Sequence, residues 1–89
     1  MNGKLNGTLY VHCKESSIKS VVEKIKELHP GALGGEIMRG FRAHGAEVIM
    51  KVKVADQKEL MSLGRDVYTS VSGVKSIQPT IEVSQSITG

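Results

Sequence analysis

The sequence predicts an α+β fold of order βαββαβ, with two helices on one face of a four-stranded antiparallel sheet. Two observations carry this reading. Residues 44–56, HGAEVIMKVKVAD, place Val48, Met50, Val52 and Val54 alternately with Glu47, Ile49, Lys51 and Lys53. Side chains on a strand point to opposite faces with period two, so one face is apolar and meets a core. Two other stretches, at 18–28 and 56–71, repeat their apolar residues at spacings of three and four, and each lies between strand-like segments. That period draws one apolar stripe along a helix.

In chain order, residues 1–7 (MNGKLNG) are polar and glycine-containing and read as a loose arm. Thr8 to Lys14 follow as a first strand, with Leu9, Val11 and Cys13 on one face and Tyr10 and His12 on the other. Ser16 and Ser17 are both good N-caps for a helix whose stripe is Ile18, Val21, Val22, Ile25 and Leu28. It stops near His29, because Pro30 disfavours helical geometry in the residue before it. Gly31, Gly34 and Gly35 read as a plain linker, since neither the spacing nor a following Gly-Lys-Ser/Thr fits a phosphate loop.

A second strand runs over 37–43; Gly40 inside it signals a bulge or a close backbone approach, and an edge position suits both the glycine and the two arginines. The AHGA turn then leads into the long third strand as a hairpin. Asp56 and Glu59 spell a capping-box-like start for the second helix, with Leu60, Leu63, Val67 and Val71 as its stripe. Gly64 lies on that stripe, where it permits a close approach to the sheet, and Gly73 reads as the C-cap. Val74 to Ser84 form the last strand, and Pro79 directs it to an edge because proline cannot donate to a ladder. The tail from Gln85 is polar. The first and third strands are then central, and the whole is a ferredoxin-like sandwich in a single domain over residues 1–89.

Composition narrows the function classes. The 89 residues suit one small domain, whose core must be built from Val, Ile, Leu and Met because there are one Phe, two Tyr and no Trp. A net charge of +3 arises from twelve dispersed basic residues, without the stripe or the stacking aromatics of a nucleic-acid binder. No direct nucleic-acid partner is expected. Cys13 is alone, which excludes an internal disulfide and fits a reducing compartment. No signal-like or membrane-spanning apolar run occurs, so the expected location is cytoplasmic, with no membrane partner.

Catalytic and metal chemistry find no constellation. Cys13 shares the core face with Leu9 and Val11 and reads as a buried, inert thiol. His12, Cys13, His29 and His44 are metal-ligand types, but His12 and Cys13 point to opposite faces, and His29 at a helix end is favourable without a metal. No paired carboxylates and no Ser-His-Asp arrangement emerge. The expectation is no enzyme, no cofactor and no metal. Tyr10, His12, Ile49, Lys51 and Lys53 fall on the sheet face away from the helices, an apolar centre with charges at its rim, which is the anatomy of an interface.

The second half of the chain, GAEVIMKVKVADQKELMSLGRDVYTSVSGVKSIQPTIEV, resembles the C-terminal effector-binding (RAM) domain of the Lrp/AsnC transcription regulators. The matching pieces are Gly45, Glu47, Val48 to Val52, Asp56, Glu59-Leu60, Gly73-Val74 and Thr80 to Val83. Residues 8–30 fit that family's first strand and helix by pattern only. The resemblance implies a stand-alone effector domain without the family's helix-turn-helix. It also implies homodimers made by facing sheets, octamers built from them, and a small-molecule effector, commonly an amino acid. A full-length regulator of the same kind is an implied partner, and transcription regulation the implied role. The implied effector site lies near the hairpin; read with the residues there, Glu47 holds an ammonium, His44 and Gly45 form the turn, and Gln78 or Thr80, on the polar side of the last strand, fixes the remaining polar group, from this subunit or a neighbouring one. The alternative is a structural oligomerisation or interaction module with no small ligand. A weaker third reading is a small enzyme subunit of the dimeric ferredoxin-like kind.

Overall fold

A computed structural model describes residues 5–41 and 45–82, of which Arg39, Gly40 and Phe41 are described in backbone only. The elements are β1 (Leu5–Lys14), α1 (Ile18–Leu28), β2 (Leu33–Phe41), β3 (Gly45–Val54), α2 (Gln57–Ser70) and β4 (Val74–Ile81), with a short 3₁₀ turn over Glu15–Ser17 ahead of α1. The strands form one antiparallel sheet in the order β2-β3-β1-β4. This is the ferredoxin-like sandwich expected, with β1 and β3 central and the strands that carry Gly40 and Pro79 at the edges.

The core lies between the sheet and the helices. Leu9, Val11 and Cys13 from β1 and Val48, Met50, Val52 and Val54 from β3 meet Val21 and Ile25 of α1 and Leu60, Leu63 and Val67 of α2. Gly64 faces this layer, and a Cβ built on it would lie 3.5 Å from Ile77 and 3.7 Å from Leu9, so α2 does rest closely on β1 and β4. Asp56 caps α2 by accepting from the Glu59 amide at 2.9 Å, while the Glu59 carboxylate accepts from the Ala55 amide at 2.7 Å. The capping box therefore forms, with its return bond one residue earlier than the usual pattern.

Several boundaries differ from the sequence reading, each for a local reason. Leu5, Asn6 and Gly7 are not a loose arm: they extend β1 and pair with Val54, Lys53 and Val52. Gly34 and Gly35 are not linker but the start of β2. The ladder slips by one residue between Gly34 and Glu36, and again between Arg39 and Phe41. The second slip is the bulge expected at Gly40. The first, at Gly35, hid inside a glycine-rich stretch. Ser17 stands at the N-cap position of α1 without capping it; its hydroxyl donates instead to the Ser72 carbonyl at 3.0 Å, tying the α2–β4 turn to the start of α1. The backbone leaves the α2 helix at Val71, so Gly73 is not its C-cap; it takes φ +93° two residues further on, a left-handed conformation that glycine adopts without strain. Leu28, the last residue of the α1 stripe, is 40% exposed. Residues 1–4, 42–44 and 83–89, which include the first part of the expected arm, part of the expected hairpin turn, the end of the last strand and the polar tail, lie outside the described residues.

Candidate functional site

The helix-free face of the sheet can be read row by row, because residues in direct register on neighbouring strands carry their side chains to the same face. One row is Met38, Glu47, His12 and Ser76, from β2 across to β4. The next is Glu36, Ile49, Tyr10 and Gln78. A third is Leu33, Lys51, Thr8 and Thr80. Beyond it Lys53 pairs with Asn6, whose carbonyl accepts from the Glu82 amide at 2.8 Å.

All five residues expected at a dimer interface fall on this face. Tyr10 and Ile49 stand directly opposite each other at its middle and are half-buried, as is His12; Lys51 and Lys53 are exposed toward one end.

The residues expected around an effector are spread out. His44 lies outside the described residues. Gly45 and Glu47 begin β3, with Glu47 between His12 and Met38. Gln78 and Thr80 are on β4, with β1 intervening. With strands about 4.8 Å apart and about 3.4 Å per residue, Glu47 and Gln78 are roughly 12 Å apart in backbone, and Glu47 and Thr80 about 17 Å. Within one chain these residues do not converge on a small ligand.

What the sequence reading missed is Thr8 and the β2 wall beside it, at the end of the face away from the hairpin, where Thr80 of the expected effector set also lies. Thr8 is 7% exposed although no helix covers it, and Thr80 and Lys51 flank it in register. It opens into a concavity of about 510 Å³ whose walls include Tyr10, Ile49, Lys51, Glu36 and the bare backbone of Gly34 and Gly35. The Gly35 bulge makes this shape. A one-residue slip exchanges the faces of a strand, so Leu33 and Glu36, three apart, both turn to the uncovered face with a side-chain-free step between them. Only glycine fits at the step, because a Cβ at Gly35 would overlap the Ile49 carbonyl oxygen. The available signal was the Gly-Gly pair directly before an alternating segment, a bulge pattern as much as a linker pattern.

Cys13 is fully buried beneath the helices, and desolvation there pushes its thiol pKa up. That disfavours the thiolate, which is the nucleophilic form. Among the described residues, no group of three or more His, Cys, Asp or Glu is placed to hold a metal ion. No helix among them is long and apolar enough to cross a membrane.

Comparison of the chain with family models, with curated proteins and with solved structures finds no match. The Lrp/AsnC resemblance stands on the residues quoted for it.

Proposed function

We propose that this chain is an Lrp/AsnC-like effector-binding module. It senses a small molecule, an amino acid by that resemblance, and regulates transcription by assembling with itself or with DNA-binding relatives. The observation that supports the reading is the uncovered sheet face, with Tyr10 and Ile49 in register at its centre and charged side chains around them. Water contact with this apolar centre is unfavourable, and a second sheet laid across it removes that contact from both copies. A two-fold arrangement needs only one self-complementary patch.

Sedimentation of the wild type and of Ile49→Glu tests the assembly. The wild type should associate at micromolar concentration. The variant should be monomeric, since a carboxylate buried without a partner costs several kcal/mol, on the order of its transfer penalty. A wild type that stays monomeric at high micromolar concentration sinks the reading. Charges are dispersed and neither helix is spare for a groove, so the chain alone should give no sequence-specific DNA complex in a gel shift at physiological salt.

The second reading, a structural oligomerisation module without a ligand, is favoured by the distance between Glu47 and the β4 residues Gln78 and Thr80. A thermal-shift screen of the amino acids separates the two, because a ligand that binds only the folded state raises its melting temperature. Assembly with no shift from any amino acid favours the structural module.

A further inference from the structure

We infer that the concavity beside Thr8, at the end of the sheet away from the β2–β3 hairpin, is a binding site for a small carboxylate that carries an apolar tail. The proposal deepens the effector-binding reading and rests on it, but it moves the ligand to a different end of the molecule from the hairpin residues.

Three features converge there. The first is a donor set. Lys51, Thr8 and Thr80 stand side by side in one row, an ammonium and two hydroxyls on three consecutive strands. Neighbouring side chains in such a row are about 5 Å apart at Cβ, which suits the two oxygens of one carboxylate. A hydrogen bond from an ammonium to a carboxylate is strengthened by both charges. The second is an apolar platform in the adjacent row, formed by Tyr10 and Ile49. The third is space. The concavity of about 510 Å³ lies within the range that holds small ligands, and its β2 wall is bare backbone at Gly34 and Gly35, between the side chains of Leu33 and Glu36.

Glu36 borders the same space on the β2 side and Glu82 on the β4 side, so Lys51 is its one ammonium beside two carboxylates. A ligand that also carries an ammonium beside its carboxylate can donate to Glu36, whereas the deaminated acid cannot. The shared chemistry is therefore the carboxylate with its apolar tail, and the amine is an addition that experiment can separate. The sheet face that holds the site is also the proposed assembly face, so a second copy laid over it closes the ligand away from water and strengthens its polar contacts.

The test is thermal-shift and calorimetric titration of the full chain with leucine, phenylalanine and the deaminated acid of each, on wild type, Lys51→Met, Thr8→Val, Glu36→Gln and Glu47→Gln. At least one of these compounds should raise the wild-type melting temperature. Lys51→Met should weaken its binding about tenfold to a hundredfold, the usual consequence of losing a charge-assisted bond. Thr8→Val, which keeps the shape and removes the hydroxyl, should weaken it by a smaller factor. Unchanged circular dichroism and unliganded melting show that the variants fold. Tighter binding of the amino acid than of its deaminated acid, with the difference lost in Glu36→Gln, assigns the amine to Glu36. Binding that survives Lys51→Met and Thr8→Val but is lost in Glu47→Gln overturns this site and leaves the effector-binding reading intact, with the ligand at the hairpin. If none of the compounds shifts the wild type, the site is overturned. Sedimentation of the same wild-type samples then decides whether an assembling module without a ligand remains.

Discussion

The two edges of the sheet are built differently. At the β4 edge, α2 rests directly on the strand through Gly64, and Ile77, Pro79 and Ile81 lie half-buried against the core. At the β2 edge, Ile37 points toward the helix side in register with buried Val48, yet it is 44% exposed. Leu33 and Met38, on the other face of the same strand, are 67% and 43% exposed. An edge can hold a proline, because alternate backbone nitrogens there face away from the single neighbouring strand and no ladder bond is lost; the Glu82 amide points to β1, so the Pro79 nitrogen points away from it. The uncovered edge is held by its pairing with β3, and two bulges interrupt that pairing. Bulges blunt an edge against unwanted strand addition and re-aim side chains. One edge therefore serves stability, and the other is free to shape a surface.

The largest test of this contrast is the same kind of truncation beneath α2, on central β1, and at the uncovered β2 edge. Leu9 is fully buried beneath α2, and Leu9→Ala should cost about 2–5 kcal/mol, the range for emptying a tightly packed site. Ile37→Ala should cost less than about 1 kcal/mol, because little apolar area returns to water. Urea unfolding with free slopes measures both. Equal losses would mean that the β2 edge is as tightly held as the layer beneath α2.

The adjacent glycines sharpen the comparison within β2. A Cβ at Gly35 overlaps the Ile49 carbonyl, and that backbone has no room to retreat inside the ladder. Gly35→Ala should destabilise by about 1–3 kcal/mol, as overpacking does. A Cβ at Gly34 meets nothing within 4 Å. Gly34→Ala should be neutral or stabilise by about 0.4–1 kcal/mol, by restricting the unfolded chain. If both substitutions behave alike, the bulge is not where the register puts it.

The smallest effect separates the two helix starts. Asp56 accepts from the Glu59 amide at the start of α2, so Asp56→Ala should cost about 1 kcal/mol. Ser16, exposed in the turn before α1, should tolerate alanine within about 0.5 kcal/mol, the spread usual for plain surface positions. Thermal melts read the difference, and a loss at Ser16 equal to that at Asp56 would show a cap that the geometry does not contain.

Local signals decided much of this molecule. The alternation over Val48 to Val54, the three-four spacing of Val21 and Ile25 and of Leu60, Leu63 and Val67, the Asp56 cap and the edge assignment of Pro79 were all legible in the sequence. Each depends on residues a few positions apart, where backbone period or one side-chain bond sets the outcome. Register was not legible, because it is set by which residues of distant strands meet. Gly34 and Gly35 have the composition of a linker, and only the pairing of Gly34 with Met50 and of Glu36 with Ile49 leaves Gly35 as a bulge in a strand. Ser17 has the chemistry of a cap, and only the arrival of the Ser72 carbonyl, 55 residues away, gives its hydroxyl a different partner. Glu47 and Gln78 looked compatible as one site, and the strand order placed β1 between them. Thr8, Lys51 and Thr80 lie far apart in the chain and become neighbours only when three strands align, since side-by-side contact in a sheet is a property of the ladder and not of the sequence along any strand.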